Sequence, residues 1–328
     1  MTGPGDRKVG PLKKTIFIAA IVAVACPILL WLLVARPALV TTEPEAAVSD
    51  PDRLRKHVEV LSVKVGARDY TSPGLDRAAD YISATFASEG LAPLDQTFEV
   101  GGRAFRNIVV ELGPKEGAKL VFGAHYDTAG RLPGADDNAS GVAGLLELGR
   151  ALKDVELERP VTLVAYTLEE PPFFATEQMG SFVHASAESA AGAEIDLMVS
   201  IEMIGYFSED EGSQSYPLGL LGLIYPSRGN FIAVIDRMMS NSSRRVKVAM
   251  AEKISLPVYS MNAPAALTGV DFSDHRNYWA HGYDAVMVTD TSFYRNTHYH
   301  TDRDTLDRLD FDKMAQVVDG LVWFARGQ

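Results

Sequence analysis

Cysteine is nearly absent: Cys26 is the single one in 328 residues. The chain beyond it therefore has no intramolecular disulfide and no thiolate metal site. Any folded domain of this size must rely on its core instead. Positive charge is also short, with 31 Lys and Arg against 43 Asp and Glu, a net charge of −12. No basic stripe is visible, which argues against nucleic acid as a partner. The acidity serves solubility, and leaves some carboxylates free to act as metal ligands. Internal repeats are missing too, and low-complexity tracts are absent after residue 52. The length allows one large α/β domain or two small ones.

One long stretch lacks charge altogether: "TIFIAAIVAVACPILLWLLVA", the 21 residues from 15 to 35. As a helix it would be roughly 31 Å long, about the hydrocarbon thickness of a bilayer. Arg7, Lys8, Lys13 and Lys14 precede it, and only Arg36 follows closely. The positive-inside rule then predicts a cytoplasmic N-terminus at 1–14, a transmembrane anchor at 15–35 and an extracytoplasmic remainder, periplasmic or extracellular. A cleaved signal peptide is the rival, but its apolar core is normally shorter and "ARPA" offers no small-x-small cleavage site. Cys26 after "AVA" hints at a lipoprotein site, yet eight apolar residues follow Pro27, where a mature lipoprotein turns polar. Residues 36–52, rich in Pro, Ala and acidic side chains, read as a linker. The folded domain is expected at 53–328.

That domain alternates helical and strand patterns. "SPGLDRAADYISATFASEG" opens with Ser72 as N-cap and Pro73 at the first helical position, with Leu75, Ala78, Ala79, Ile82 and Phe86 on one face. Strands are predicted at "QTFEV", "NIVVEL", "KLVFGAH", "VTLVAYTL", "LMVSIEMI" and "DAVMVTD". Three of these are near-continuous apolar runs, the mark of strands buried on both faces of a parallel sheet. Helices are predicted at "SGVAGLLELGRALKD", "MGSFVHASAE", "RGNFIAVIDRMM" and "FDKMAQVVDGLVWFARG". The result is a three-layer α/β/α domain with a mostly parallel or mixed central sheet.

Ionisable groups gather at the ends of the predicted strands, where open α/β sheets carry their sites. His125 and Asp127 follow one strand, within the loop "HYDTAGRLPGADDNASG". Glu169 and Glu170 end the next, Glu202 a third, and His298 and His300 follow the last by a short loop. Each feature alone is unremarkable: a His-x-Asp is ordinarily a solvated pair, Asp137 or Asn138 could cap the next helix, and a Glu-Glu pair is mostly surface. Together they need a counter-charge. Carboxylates crowded together repel and shift one another's pKa. Imidazoles with carboxylates and no thiolate suit zinc in an open catalytic site. The ligands outnumber what one tetrahedral ion needs, which points to a pair of metals. The glycines of the loop "HYDTAGRLPGADDNASG" would let His125 and Asp137 aim at one place.

The motifs "GAHYDT", "PGADDNASGVA", "TLEE…GS", "SIEMIGY" and "YHTDRDT", in that order, resemble those of the M28 metallopeptidases, the di-zinc aminopeptidase group. The resemblance spans roughly residues 53–328. It implies an α/β/α fold with a mixed sheet, two zinc ions and a peptide or small amide substrate. Carried over residue by residue, His125 and Glu202 would bind one zinc, Glu170 and His300 the second, and Asp137 would bridge them. Glu169 would be the general base, and Asp127 would orient His125. Two departures stand out: the family often has Asp where this chain has Glu202, and "EEPPFFATEQMGS" is longer than the usual turn, so that Pro171, Pro172, Phe173 and Phe174 would stiffen and line the site mouth. Asp274 reads as a helix cap and His275 as structural. Tyr299 could donate to an oxyanion, while Arg295 and Asn296 read as loop braces that could alternatively hold a peptide terminus. His57, His184 and His281 are expected to do no chemistry. Three readings stay open: a di-zinc exopeptidase, with a carboxypeptidase or deacylase as variants; a single-zinc glutaminyl-cyclase-like enzyme on the same fold; and a binding ectodomain without catalysis.

Overall fold

The computed structural model describes residue 25 and residues 27–327. Most of the predicted anchor, and all of the predicted cytoplasmic segment 1–14, lie outside the described residues. Of the anchor, residues 27–35 are helical. Among the described residues no helix is long and apolar enough to cross a membrane.

The six predicted strands all form: β1 (Leu94–Val100), β2 (Arg103–Leu112), β3 (Lys119–His125), β4 (Val161–Tyr166), β5 (Ile195–Glu202) and, after two unpredicted ones, β8 (Ala285–Thr289). The two extra strands are β6 (Ile232–Arg237) and β7 (Val258–Ala263). All eight lie in one sheet, in the order β1-β2-β4-β3-β5-β8-β6-β7. Its centre, β4-β3-β5-β8, is parallel. The β1–β2 hairpin flanks it antiparallel on one side. On the other, β6 runs antiparallel to β8 and parallel to the edge strand β7. The sheet is therefore mixed.

Segment 228–239, expected as a helix, is the site of β6. Its residues alternate between two buried faces: Ile232 and Val234 join the main core, Ala233 and Ile235 a smaller cluster on the opposite face. A short apolar run buried on both sides has no period that separates strand from helix.

Helices cover both faces. One layer holds α1 (Pro51–Glu59), α2 (Pro73–Ser88), α3 (Gly141–Leu152), α5 (Ser242–Lys253) and α7 (Phe311–Arg326); the other holds α4 (Gly180–Ala190) and the short α6 (His275–Ala280). In α2 the Ser72 hydroxyl accepts the Gly74 N–H at 3.0 Å, and all five predicted apolar positions are buried. In α7 Asp310 accepts the Lys313 N–H at 2.9 Å, and Phe311, Met314, Val318, Leu321 and Val322 face the core. Segment 36–49 carries no helix or strand, but it is strapped to the domain. The Glu43 N–H donates to Glu252 O at 2.8 Å, and the Ser49 N–H to Asp319 Oδ1 at 2.8 Å.

Candidate metal centre

Because β3, β4, β5 and β8 are parallel, their C-terminal ends share one edge of the sheet, and the site is built there. His125 closes β3 and Glu202 closes β5. Glu169 and Glu170 lie just past β4, and His300 sits in the loop after β8. Asp137 comes from the loop between β3 and α3. That loop turns at Gly134, whose φ is +54°; a Cβ there would stand 2.2 Å from the Asp137 carbonyl oxygen. Only glycine allows the turn that brings Asp137 back toward His125.

The five predicted ligands converge. His125 Nε2 lies 3.4 Å from Asp137 Oδ1 and 3.4 Å from Glu202 Oε2. His300 Nε2 lies 3.0 Å from Asp137 Oδ2 and 3.3 Å from Glu170 Oε2. The two oxygens of Asp137 thus face two different histidines. Donor atoms of His125, Asp137 and Glu202 form one group within 4.8 Å, and those of Asp137, Glu170 and His300 another. For bonds of about 2.0–2.2 Å, the corners of a tetrahedron lie roughly 3.3–3.6 Å apart; three of these four contacts keep that spacing, and His300 stands closer to Asp137, at 3.0 Å. Glu170 Oε1 is buried without a hydrogen-bond partner. An all-N/O donor set at this spacing, with an unpaired carboxylate oxygen in it, fits zinc. Glu169 Oε2 stands 3.9 Å from His125 Nε2, and donor atoms of His125, Glu169 and Glu170 form a third group within the same 4.8 Å.

The electrostatics are those of too many anions in one dry place. Burial, then Glu170 and Glu202, push the Glu169 carboxyl well above the usual range. Burial and Asp137 push Glu170 up to about 8. Burial acts against charge on His125 as well, but Glu202 and Glu169 outweigh it and raise its pKa well above the ordinary value. Asp137 goes the other way: burial is outweighed by hydrogen bonds to His125 and His300, which hold it low. A divalent cation relieves this repulsion directly.

Asp127 stands at the expected ring nitrogen, its Oδ1 3.5 Å from His125 Nδ1. Its two oxygens also accept the backbone N–H groups of Glu169 and Glu170, at 3.1 and 3.0 Å. It splints the Glu-Glu pair.

Three supports have roles that the residue pattern does not specify, although Asp304 lies inside the motif "YHTDRDT". Asp304 accepts the N–H groups of Asp136 and Asp137 at 2.9 and 3.0 Å. The Ser273 hydroxyl donates to Glu202 Oε2 at 2.6 Å. Arg68, fully buried, donates to the carbonyls of Tyr126, Leu61, Gly66, Pro133 and Gly134, and so ties the start of the loop after β3 to its middle.

Other expectations sort as follows. His298 stands outside the ligand groups. Arg295 is a brace: its Nε donates to Gln214 at 2.9 Å, and its guanidinium packs on Phe207 and Phe231. Asn296 donates to Asp136. Asp274 does not cap α6 with its side chain; its carboxyl is buried, which pushes its pKa up to about 7. His275 bonds Val270 O at 2.8 Å. His57, His184 and His281 make local hydrogen bonds only. In the long turn, Pro171 and Phe174 line the cleft over the metal ligands, Phe174 standing edge-on to Phe272. Phe173 turns away and packs on Tyr70 and Phe105.

A second, apolar pocket adjoins the cleft and shares Glu202, Phe272 and Tyr299 with it. Its floor is one face of three strands. Ala233 pairs with Thr289 and Tyr259, and Ile235 with Met287 and Met261, so six side chains point the same way.

Residues 107–324 match the family profile described as Peptidase family M28. The chain belongs to that family. An Escherichia coli (strain K12) relative, "Uncharacterized protein YfbL", is 44% identical over 95% of this chain and 98% of its own length. A "Probable leucine aminopeptidase 1" of Trichophyton verrucosum is 27% identical over 67% of this M28 chain, which spans 57% of that protein. Among solved structures, the Legionella pneumophila LapA aminopeptidase superposes with a TM-score of 0.67 at 20% identity, covering 88% of this chain and 76% of that one. A Porphyromonas gingivalis glutaminyl cyclase gives 0.65 at 20% identity, covering 86% and 100%. Both share the three-layer M28 fold.

Proposed function

We propose that this M28 chain is a di-zinc aminopeptidase anchored in a membrane by residues 15–35, with its catalytic domain on the extracytoplasmic side. The observation that carries the di-zinc reading is Asp137: its two oxygens face separate ligand groups, His125 with Glu202 and His300 with Glu170. Bound zinc would polarise the scissile carbonyl and acidify the attacking water. The chain's own part is proton transfer and positioning. Glu169, held by Asp127, takes the proton from water and returns it to the leaving amine. Its raised pKa suits a group that must carry a proton between the two steps.

The apolar pocket beside the cleft supports cleavage after a bulky apolar N-terminal residue. Its one amide, Gln214, is already engaged by Arg295. The aminopeptidase reading rests on the apolar strand face that floors this pocket, and the cyclase reading is the alternative that the test separates. The anchor rests on the uncharged run and the basic residues ahead of it.

The test is zinc content per chain of the detergent-extracted protein, alongside an aminoacyl-nitroanilide panel before and after chelation. Near two zincs, with chelator-sensitive release favouring leucine or phenylalanine, supports the proposal. One zinc with cyclisation of N-terminal glutamine would replace it.

A further inference from the structure

Residues 212–227, "GSQSYPLGLLGLIYPS", carry no charge in a chain that is 23% charged. Within them a short helical turn, Gly219–Leu223, points leucines both ways. Leu221 and Tyr225 turn inward, and the Tyr225 hydroxyl donates to Ser260 O at 2.7 Å. Leu218, Leu220, Leu223 and Ile224 turn outward; Leu220 is 73% and Leu223 81% exposed. Such a ridge is unfavourable in water and needs a partner.

Its position names the partner. Leu221 and Tyr225 pack against Val34 and Ala35, the last turn of the N-terminal helix. Ala35 O accepts from Ser260 Oγ at 2.9 Å and from Lys247 Nζ at 3.0 Å, so that turn is fixed to the domain beside the edge strand β7. One turn earlier, Ile28 to Leu32 are exposed, Trp31 among them. At about 5.4 Å per helical turn, the outward leucines flank the point where the apolar helix leaves the protein.

We propose that the Leu218–Ile224 ridge is a second membrane contact, dipping into the lipid interface beside the anchor and seating the domain on the bilayer. The inference rests on the anchor reading above. The contact is apolar rather than electrostatic: the charged residues bordering the run, Glu211 and Arg228, pair with each other at 2.7 Å. Zwitterionic lipid therefore suffices. The same segment supplies Ser215, Tyr216, Pro217 and Tyr225 to the apolar pocket, so the pocket wall is braced from outside by lipid. Substrates whose apolar N-terminal residue lies at the membrane surface reach the pocket from there.

The test uses full-length protein, with Cys26→Ser, reconstituted in phosphatidylcholine vesicles. Single cysteines at Leu223, Leu29 and Met239 carry an environment-sensitive fluorophore, and brominated lipids quench it. With insertion of roughly 5–10 Å, the label at 223 loses about half its emission or more, as does the one at 29, while the one at 239 is unaffected. Quenching at 29 but not at 223 overturns the ridge and leaves the anchor standing. Quenching at neither removes the anchor reading and the ridge with it. A label at 223 that is shielded but not lipid-quenched, and is released on dilution in lipid, would make the ridge a contact between copies of the chain.

Discussion

Asp304 Oδ2 accepts the backbone N–H of Asp137 at 3.0 Å, across 167 residues of chain. The other oxygen of the same carboxylate takes the N–H of Asp136. The residue between the two ligand groups is thus held by its main chain, which leaves both its side-chain oxygens free for metal. Asp304→Asn keeps the shape but turns an amide donor toward one of these N–H groups. Zinc affinity should fall about 10–100-fold, as for other groups that orient ligands, with the fold intact. Competition with a fluorescent chelator reads the change directly; unchanged affinity would reduce Asp304 to a loop brace.

Glu169→Gln removes proton transfer and little else. Asp127 accepts from the Glu169 backbone, so the turn should survive the change. Turnover is expected to fall about 10²–10⁴-fold with zinc content unchanged. Elemental analysis beside a rate assay separates loss of the base from loss of metal. Retained turnover would require a different proton carrier.

Ala233 lies on the pocket floor, between Tyr259 and Thr289. Ala233→Leu shortens the pocket without touching a ligand. kcat/KM for leucine and phenylalanine substrates should drop roughly 10–200-fold, the range seen when a hydrophobic pocket changes by methylene-sized amounts. Alanine substrates should be spared. Equal losses on all substrates would mean the pocket does not receive the N-terminal side chain.

His184 gives a pH dependence apart from the metal. It is buried against Tyr278, and burial lowers its pKa from 6.5 to about 4. Above pH 6.5 folded and unfolded chains both hold it neutral. Between 6.5 and about 4 the unfolded chain takes up a proton that the folded one refuses, so stability falls as pH falls; below that, both are protonated. The full loss is about 3 kcal/mol. In urea titrations from pH 7.5 to 4.5, His184→Gln should flatten the decline by up to that amount. Identical slopes would place the pH sensitivity elsewhere.

Much of this was legible because the signals were local. The apolar runs ending at His125 and Glu202 announced central strands, and the ionisable residues at their ends announced a shared edge. What failed lacked a period. The Ile232–Ile235 run is buried on both faces, so it carried no alternation to mark it as a strand. In α5 the core positions are only Val246 and Met250, with Ser243 and the half-polar Lys247, too sparse a stripe to read. The supports of the site were hidden for another reason. Asp304 and Arg68 bond to backbone atoms, and a backbone partner leaves no trace in residue types. Asp304 even sits within a recognised motif, yet nothing in its spacing says which main chain it holds.

The reversal of β6 against β8 divides the labour of the sheet. The candidate metal ligands gather at the C-terminal edge of the parallel block, whereas the pocket floor comes from side chains along β6, β7 and β8. Substrate preference can therefore drift, one inward-facing side chain at a time, while the chemistry stays fixed. Relatives that keep all five ligands should be sorted by positions 233, 235, 259, 261 and 287, and a change of diet in this lineage would be written there first.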